Sequence, residues 1–431
     1  MTPTLPPVPW RACIVVFVVA LVFRLGLVVA TDSIHQFPRK EMVRIAMVFA
    51  ARGELADPYA VPTGPTAHVP PLYPIFLGVV FRIFGTGVAA EVVKCLLTST
   101  VSALRWAMIP WLAICLGLRL RTGMIGGLMG AFYIGALATD IKGDWAEAYA
   151  ATALMALFFA AIRIYNNPRL DLRSGAILGF WWGLTLLLSP ALIAVLGGFV
   201  LVGALRFLRE SPRRYVQFVA VVGLVAALVL SPWPIRNAIR LGSPIWAKDI
   251  FGLAMRVSNR PGATWDIAGN QAFIEQTTPT WQPAAALELK AVGEVAYDKA
   301  RLWEAMQWIR SNPATFAQLV ALRAFHFWFP IGRNAAHTAL EWSVTLLSMI
   351  GLYLLYLRHR AAALLILAIW LLYPPLYYIV LWSSRYRYPI DWTLLLTAAI
   401  SVDHVLSGAS ARFSRSRRNW MRTNAVSSGE V

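Results

Sequence analysis

The chain has 431 residues, of which 58% are apolar and only 14% charged, against about 25% charged in an ordinary soluble domain. So little charge excludes a cytosolic globular enzyme, a disordered chain and a nucleic-acid-binding module, and leaves a protein with several membrane spans. The net charge of +18 reads as topology and not as a nucleic-acid footprint, because the arginines sit in short clusters between apolar runs.

A bilayer core of about 30 Å needs about 20 helical residues. Apolar runs near that length lie at 12–30, 89–118, 122–139, 145–164, 174–189, 190–207, 215–233, 338–357, 361–382 and 390–408. A shorter run, Pro70 to Gly85, opens with Pro70, Pro71 and Pro74. Arginines cluster at 119 and 121, at 169 and 173, at 206, 209, 213 and 214, and at 358 and 360; the tail adds Arg412, Arg415, Arg417 and Arg418. The positive-inside rule puts all of these in the cytoplasm. That parity holds only if Pro70–Gly85 does not span, which gives ten helices with both termini cytoplasmic. Val28-Val29-Ala30 loosely resembles a signal-peptide cleavage site, but the length of the first run and its Arg24 favour a retained anchor. Cys13, Cys95 and Cys115 lie in apolar runs and offer neither a disulfide framework nor metal spacing.

The expected fold is therefore an all-α polytopic membrane protein with about ten transmembrane helices, an amphipathic first outer loop and a small, largely helical outer cap. Residues 1–235 form a membrane module with outer loops at 31–88 and 139–145. Residues 236–333 form the extracytoplasmic cap, 334–410 the C-terminal helices, and 411–431 a basic cytoplasmic tail, expected to be disordered. In the cap, Leu287, Val292, Val295, Leu302, Trp303, Met306 and Ile309 share a spacing that predicts one amphipathic helix from Ala284 to Arg310. No internal repeat and no inverted symmetry of the transporter kind is evident.

Four stretches could carry chemistry. In the first outer loop a helix is expected from Glu41 to Ala51, with Met42, Ile45, Ala46 and Phe49 on one face and Gly53 as its stop. Glu41 at its N-terminus is either a dipole-stabilised surface charge or, given the Pro-rich return that contains His68 and Tyr73, a site carboxylate. Asp57 lies in the same loop as a pocket candidate. The second outer loop carries Asp140, Lys142, Asp144 and Glu147; Asp144 and Glu147 fit a capping box but also an acid/base pair. The third stretch is Ser231-Pro232-Trp233-Pro234-Ile235-Arg236-Asn237. The fourth is Ser384-Arg385-Tyr386-Arg387-Tyr388-Pro389, whose arginines lie on the outer side against the general trend. Outer cations suit either an anionic ligand or snorkelling to lipid headgroups. His68 stands alone as a histidine and reads as structural or as a pocket residue. No His or Cys pair has metal spacing, so neither a metal nor another cofactor is expected.

The ordered set resembles a family. An acid-headed amphipathic helix ends in Gly, followed by Pro-Pro-Leu-Tyr-Pro (Pro70 to Pro74) and an acid in the next outer loop. Then come Pro-Trp-x-x-Arg-Asn before a long outer loop and Arg-Tyr-Arg-x-Pro before the last helix. This is similar to bacterial membrane glycosyltransferases of the C superfold, related to dolichyl-phosphate-mannose–protein mannosyltransferases, and covers the chain from Arg24 to about Pro389. The resemblance implies inverting transfer of a hexose or pentose from a polyprenyl-phosphate carrier to a hydroxyl of a glycan, lipid or protein at the outer face of a bacterial plasma membrane. It carries over Glu41 as base, Asp144 or Glu147 as second-loop acid, and Arg236, Arg385, Arg387 and Lys142 as phosphate partners. One departure is clear: the family's Asp, three or four residues before the position of Met42, is replaced here by Arg39 or Pro38. A flippase or transporter of lipid-linked glycan would instead line a midplane path with ionisable groups, of which Arg24, Glu91 and Lys94 are the main ones. A catalytically inactive scaffold of a glycan-assembly complex is the third reading.

Overall fold

A computed structural model describes residues 6–37, 40–133, 135, 137–166, 168 and 170–408. The substituted positions Pro38 and Arg39, Arg169 and the basic tail 411–431 lie outside the described residues. Among those described, no β-strand forms and the chain is helical, interrupted by two isolated bridges, Ala56–Pro65 and Asp266–Trp382. It is an all-α, multi-pass membrane protein.

The helices of the first half are α1 (Trp10–Ala30), α2 (Glu41–Arg52), α3 (Leu72–Phe84), α4 (Val88–Cys115), α5 (Leu120–Phe132), α6 (Leu137–Ile141), α7 (Glu147–Asn166), α8 (Leu172–Leu188), α9 (Ile193–Glu210) and α10 (Pro212–Leu230). Then come α11 (Pro232–Leu241), α12 (Phe251–Ser258), α13 (Ile267–Thr277), α14 (Pro283–Val292), α15 (Glu294–Ser311), α16 (Pro313–Trp328), α17 (Ala335–Arg358), α18 (Arg360–Leu372) and α19 (Pro375–Tyr378). The last helix, α20, runs from Ser384 to Gly408 with a 3-10 turn at Tyr388–Ile390.

Among the described residues, eight segments are long and apolar enough to cross a bilayer. Two of the ten expected runs are shorter: 122–139 shrinks to α5, with 13 residues, and 174–189 to α8, with 17. Glycines explain how these short helices hold their places. Gly175, Gly179 and Gly183 form one stripe of α8 against α10, where a Cβ at Gly179 would stand 2.5 Å from the Val222 carbonyl oxygen. Gly130 of α5 lies beneath the Trp106 ring of α4. Small residues at such spacing let helix backbones approach closely in lipid, where dispersion replaces the hydrophobic effect. The run Pro70–Gly85 becomes the 13-residue α3, about 20 Å long and too short to span alone. Its Gly78 packs on Ala46 and Phe49 of α2, so the two helices form a hairpin.

The arginine-bearing connections share one end of the bundle. Trp111 Nε1 donates to Pro6 O at 3.3 Å, Arg119 to Ser407 at 3.0 Å and Arg121 to Asp403 at 2.5 Å. Asn166 meets His359 at 3.3 Å, and Arg206 donates to the Tyr165 carbonyl. Helices α4 and α7 run parallel, since Thr152 meets Val101 and Phe159 meets Trp111, so both sets of contacts lie at the same end.

At the opposite end the expected single cap helix divides into α14 and α15 at Gly293, with φ +87°. The expected apolar face is split: Leu287, Val292, Trp303 and Met306 are exposed, while Leu302 and Ile309 pack with Ala305 on Met255 and Val380, and Tyr297 and Asp298 are buried. The bend aims Glu294 at the first outer segment, where it takes Ala67 N at 2.7 Å and the Thr66 hydroxyl at 2.5 Å. That docking joins apolar packing of Ala286, Leu289 and Tyr297 on Tyr59 and Val61 to seat the cap on the first outer segment.

Candidate active site

Helix α2 begins at Glu41, buries Met42, Ile45 and Ala46 against α3, and ends at Gly53 in the left-handed region (φ +71°). It thereby turns the Glu41 carboxylate to the underside of the cap, among the side chains described next. The Thr280 hydroxyl donates to Glu41 Oε1 at 2.7 Å. Burial pushes the Glu41 carboxyl up, but His68, the Thr280 hydrogen bond and Arg385 outweigh it and hold the group below the usual carboxylate range. Burial lowers His68 to about 4, against the pull of Glu41, so the imidazole is neutral at neutral pH; its pull on Glu41 acts only in acid, and at neutral pH the Thr280 hydrogen bond and Arg385 are what favour the carboxylate.

Arg385 opens the last helix and lies over the Trp145 ring at 3.8 Å from its centroid, a cation–π contact. Its Nη1 stands 3.9 Å from Glu147 Oε1 and, like Glu147 Oε2, has no hydrogen-bond partner. Arg385 and Glu147 are surrounded by protein yet keep 24% and 19% of their side-chain surface. Lys248, whose side chain stays exposed, lies at the edge of the group: desolvation by the surrounding protein and Arg385 lower its ammonium, and Glu147 opposes them. Glu41, His68, Lys248, Arg385 and Glu147 therefore form one electrostatically coupled set of incompletely paired groups, with Trp145 and Tyr386 as aromatic surfaces. Tyr386 is braced by Tyr377, ring centroids 4.6 Å apart.

The other candidates lie elsewhere. Asp144 does not cap α7, which opens at Glu147; it accepts Lys94 Nζ at 2.9 Å, and Lys94 also meets Glu91 at 2.7 Å. Arg236 spends its donors on the carbonyls of Thr66 (2.8 Å) and Leu55 (2.6 Å) and on Asn237 Oδ1. It is a clamp on the loop that carries His68, not a free fork for phosphate. Arg387 turns the other way from Arg385, into a buried cluster with Glu341, Asp391 (2.9 Å) and Tyr133. Lys142 donates to Gln36 Oε1 at 2.6 Å. Asp57 (φ +56°) closes a turn by accepting Gly64 N at 2.7 Å and Arg52 at 2.5 Å. Tyr73 is fully buried, its hydroxyl on the Gly143 carbonyl, and anchors the second loop to α3 instead of lining a pocket.

Lys248, Thr280, Trp145, Tyr59 and Glu294 escaped the sequence reading. None stands in a motif; Lys248, Thr280 and Glu294 come to the site because the cap folds back on the first outer segment, which carries Tyr59, while Trp145 sits on the second outer loop just before α7. The Asp249 amide donates to the Ala67 carbonyl at 2.8 Å, which brings Lys248 in beside His68. Asn237 Nδ2 and Trp233 Nε1 hold the preceding loop through the Ile245 and Ala247 carbonyls, the one sequence signal that could have pointed there. Among the described residues no three His, Cys, Asp or Glu side chains gather as metal ligands.

No protein-family model matches this sequence, and no curated protein matches it. Solved structures do. An oligosaccharyltransferase from Archaeoglobus fulgidus in the apo form aligns over 95% of this chain and 52% of its own, with TM-score 0.53 and 14% identity. The archaeal oligosaccharyltransferase AglB from Archaeoglobus fulgidus, in complex with an inhibitory peptide and a dolichol-phosphate, aligns over 94% of this chain and 51% of its own, with TM-score 0.56 and 14% identity. The chain thus spans about half the length of these membrane enzymes and shares their fold over that half.

Proposed function

We propose that this chain is an integral-membrane glycosyltransferase that moves a sugar from a polyprenyl-phosphate carrier to an acceptor hydroxyl, with inversion, at the face opposite its arginine clusters. That face would be the outer face of a bacterial plasma membrane, with both termini cytoplasmic. The observation that carries the reading is Glu41: a carboxylate held low under the cap, grouped with Arg385, which keeps an unpartnered nitrogen, and near Lys248. Support comes from the shared fold, from AglB having been seen with a dolichol-phosphate, and from the motif order.

In the proposed step the acceptor oxygen attacks the anomeric carbon while Glu41 takes its proton. The bond from that carbon to the phosphate oxygen breaks, and the electron pair leaves with the lipid phosphate. Arg385 and Lys248 stabilise the charge that grows there. Trp145 and Tyr386 offer faces for the sugar ring. Glu147 sits beside Arg385 to orient it. A flippase would need an open polar path through the spans, whereas Arg24, Arg105 and Asp140, and Lys94, Glu91 and Asp144, close on each other.

The test is mass spectrometry of surface glycans and lipid-linked sugars from cells with the wild-type chain, with Glu41→Gln and with neither. Wild type alone should shift one glycoform. Identical profiles with and without the wild-type chain would refute the transferase, and a Glu41→Gln profile matching wild type would remove Glu41 as base.

A further inference from the structure

The part of the site with the most constrained geometry is His68. Its backbone N–H donates to Thr66 Oγ1 at 3.0 Å, and the neighbouring Ala67 is held on both sides, by Glu294 through its N–H and by the Asp249 amide through its carbonyl. The imidazole is 2% exposed. Its Nδ1 lies 2.9 Å from the hydroxyl of Tyr59, itself 4% exposed, with the two rings edge to face at 5.1 Å.

Among the described residues, that nitrogen is the sole hydrogen-bond partner of the Tyr59 hydroxyl. A buried hydroxyl must give its proton to an acceptor or forfeit the bond. Proton loss from Tyr59 is opposed by burial and by the negative charges of Glu294, Glu41, Asp249 and Asp298, which together raise its phenol well above the ordinary value. The phenol therefore donates to Nδ1, Nδ1 is an acceptor, and the ring proton resides on Nε2. The charges that face the ring are Glu41 and Lys248.

We infer that Tyr59 locks His68 as a neutral Nε2–H donor, and that this donor and the Glu41 carboxylate together select an alcohol as the acceptor. The inference rests on the transferase reading and deepens it. An alcohol oxygen accepts the imidazole N–H through one lone pair while its own proton goes to Glu41. A carboxamide nitrogen has its lone pair delocalised and accepts no such bond. A charged imidazolium would instead pair with Glu41 and spoil the base. Tyr59 is accordingly a positioning residue.

The experiment combines spectroscopy with transfer assays on the full chain in nanodiscs. With 15N-labelled histidine, His68 is assigned by its loss in His68→Gln. The wild type should show the Nε2–H tautomer, and Tyr59→Phe a mixture of both. Synthetic polyprenyl-phospho-hexoses serve as donors, with paired acceptors carrying either a hydroxyl or a carboxamide. Tyr59→Phe should lower transfer to the hydroxyl about 10-fold, the loss of one well-placed hydrogen bond. His68→Gln, which keeps an N–H near the same place, should retain most activity and make Tyr59→Phe silent in the double variant. An Nδ1–H tautomer in the wild type, additive losses in the double variant, or equal transfer to the carboxamide would each overturn the inference. If the wild type transfers sugar to nothing, the transferase reading and the acceptor choice built on it fail, while the tautomer lock still stands or falls on the spectrum. Should Tyr59→Phe fail to fold, the wild-type spectrum and the His68→Gln assay decide.

Discussion

Two regions of this molecule gather charge, and they do it differently. Inside the bundle, Arg24 is fully buried and bonds to Ser102, Ala131 O and Asp140 Oδ2 (3.1 Å), while Arg105 approaches the same Asp140 and donates to the Tyr388 hydroxyl at 2.8 Å. Two cations share one carboxylate there, and Arg105 keeps Nε and Nη1 without a hydrogen-bond partner, but the group is sealed, its side chains at most 4% exposed. Under the cap, Arg385 and Glu147 stand 3.9 Å apart with atoms left unpartnered, and Lys248 and Glu41 add further charge without closing a pair. A closed ion cluster is a packing device in a low-dielectric interior. An open one is held ready for groups the protein does not itself supply. Buried charge and unpartnered atoms by themselves are therefore no sign of a site in this chain; charge that keeps access to solvent is.

The contrast can be broken from either side. Glu41→Gln should have the largest effect on chemistry, lowering transfer about 10²–10⁴-fold with no change in membrane insertion or melting temperature; a matching loss of folded protein would put Glu41 in the closed class. Asp140→Asn should do the reverse. Leaving Arg24 and Arg105 uncompensated costs about 3–5 kcal/mol, read as a lowered melting temperature in detergent. An unchanged melting temperature would mean the bundle cluster is not closed at all.

Smaller effects sharpen the comparison through pH. A general base works only when ionised, so transfer should rise with pH through the Glu41 titration and level off above it. Thr280→Val removes the hydroxyl bonded to Oε1, and the acid limb of kcat/KM should move to higher pH. An unmoved limb would mean another group sets it. Glu294 marks the boundary between the regions. Burial raises its carboxyl to about 8 from an ordinary 4.5, against the pull of Thr66 and Ala67. The folded protein then binds a proton that the unfolded chain has released, so this contribution is full below pH 4.5 and is lost as pH rises towards about 8. Proteolysis of the cap should accelerate over that range in wild type and stay flat in Glu294→Gln.

Much of the frame was legible. The bounds of α2 follow from apolar positions three and four apart and from Gly53, both local properties, and the structure starts the helix at Glu41 and stops it at Arg52. The Pro-Trp-x-x-Arg-Asn and Arg-Tyr-Arg-x-Pro motifs marked stretches that hold the loops beneath the cap and place Arg385, but not what each member does. Arg385 and Arg387 are two residues apart in sequence and face opposite regions. Arg387 is claimed by Glu341, 46 residues away, and Asp144 by Lys94, 50 residues away. Pattern along the chain cannot report such partners.

By itself the sequence determined that this is a membrane protein, which connections share an end, and where a carboxylate heads an amphipathic helix. These follow from apolar content, arginine placement and helical period, which are properties of short stretches. Only the tertiary structure decided which charges are spent and which are left for chemistry. Pairing in a water-poor interior depends on distances between residues far apart in the chain, and a glycine bend at 293 was enough to bring the cap onto His68 and Glu41.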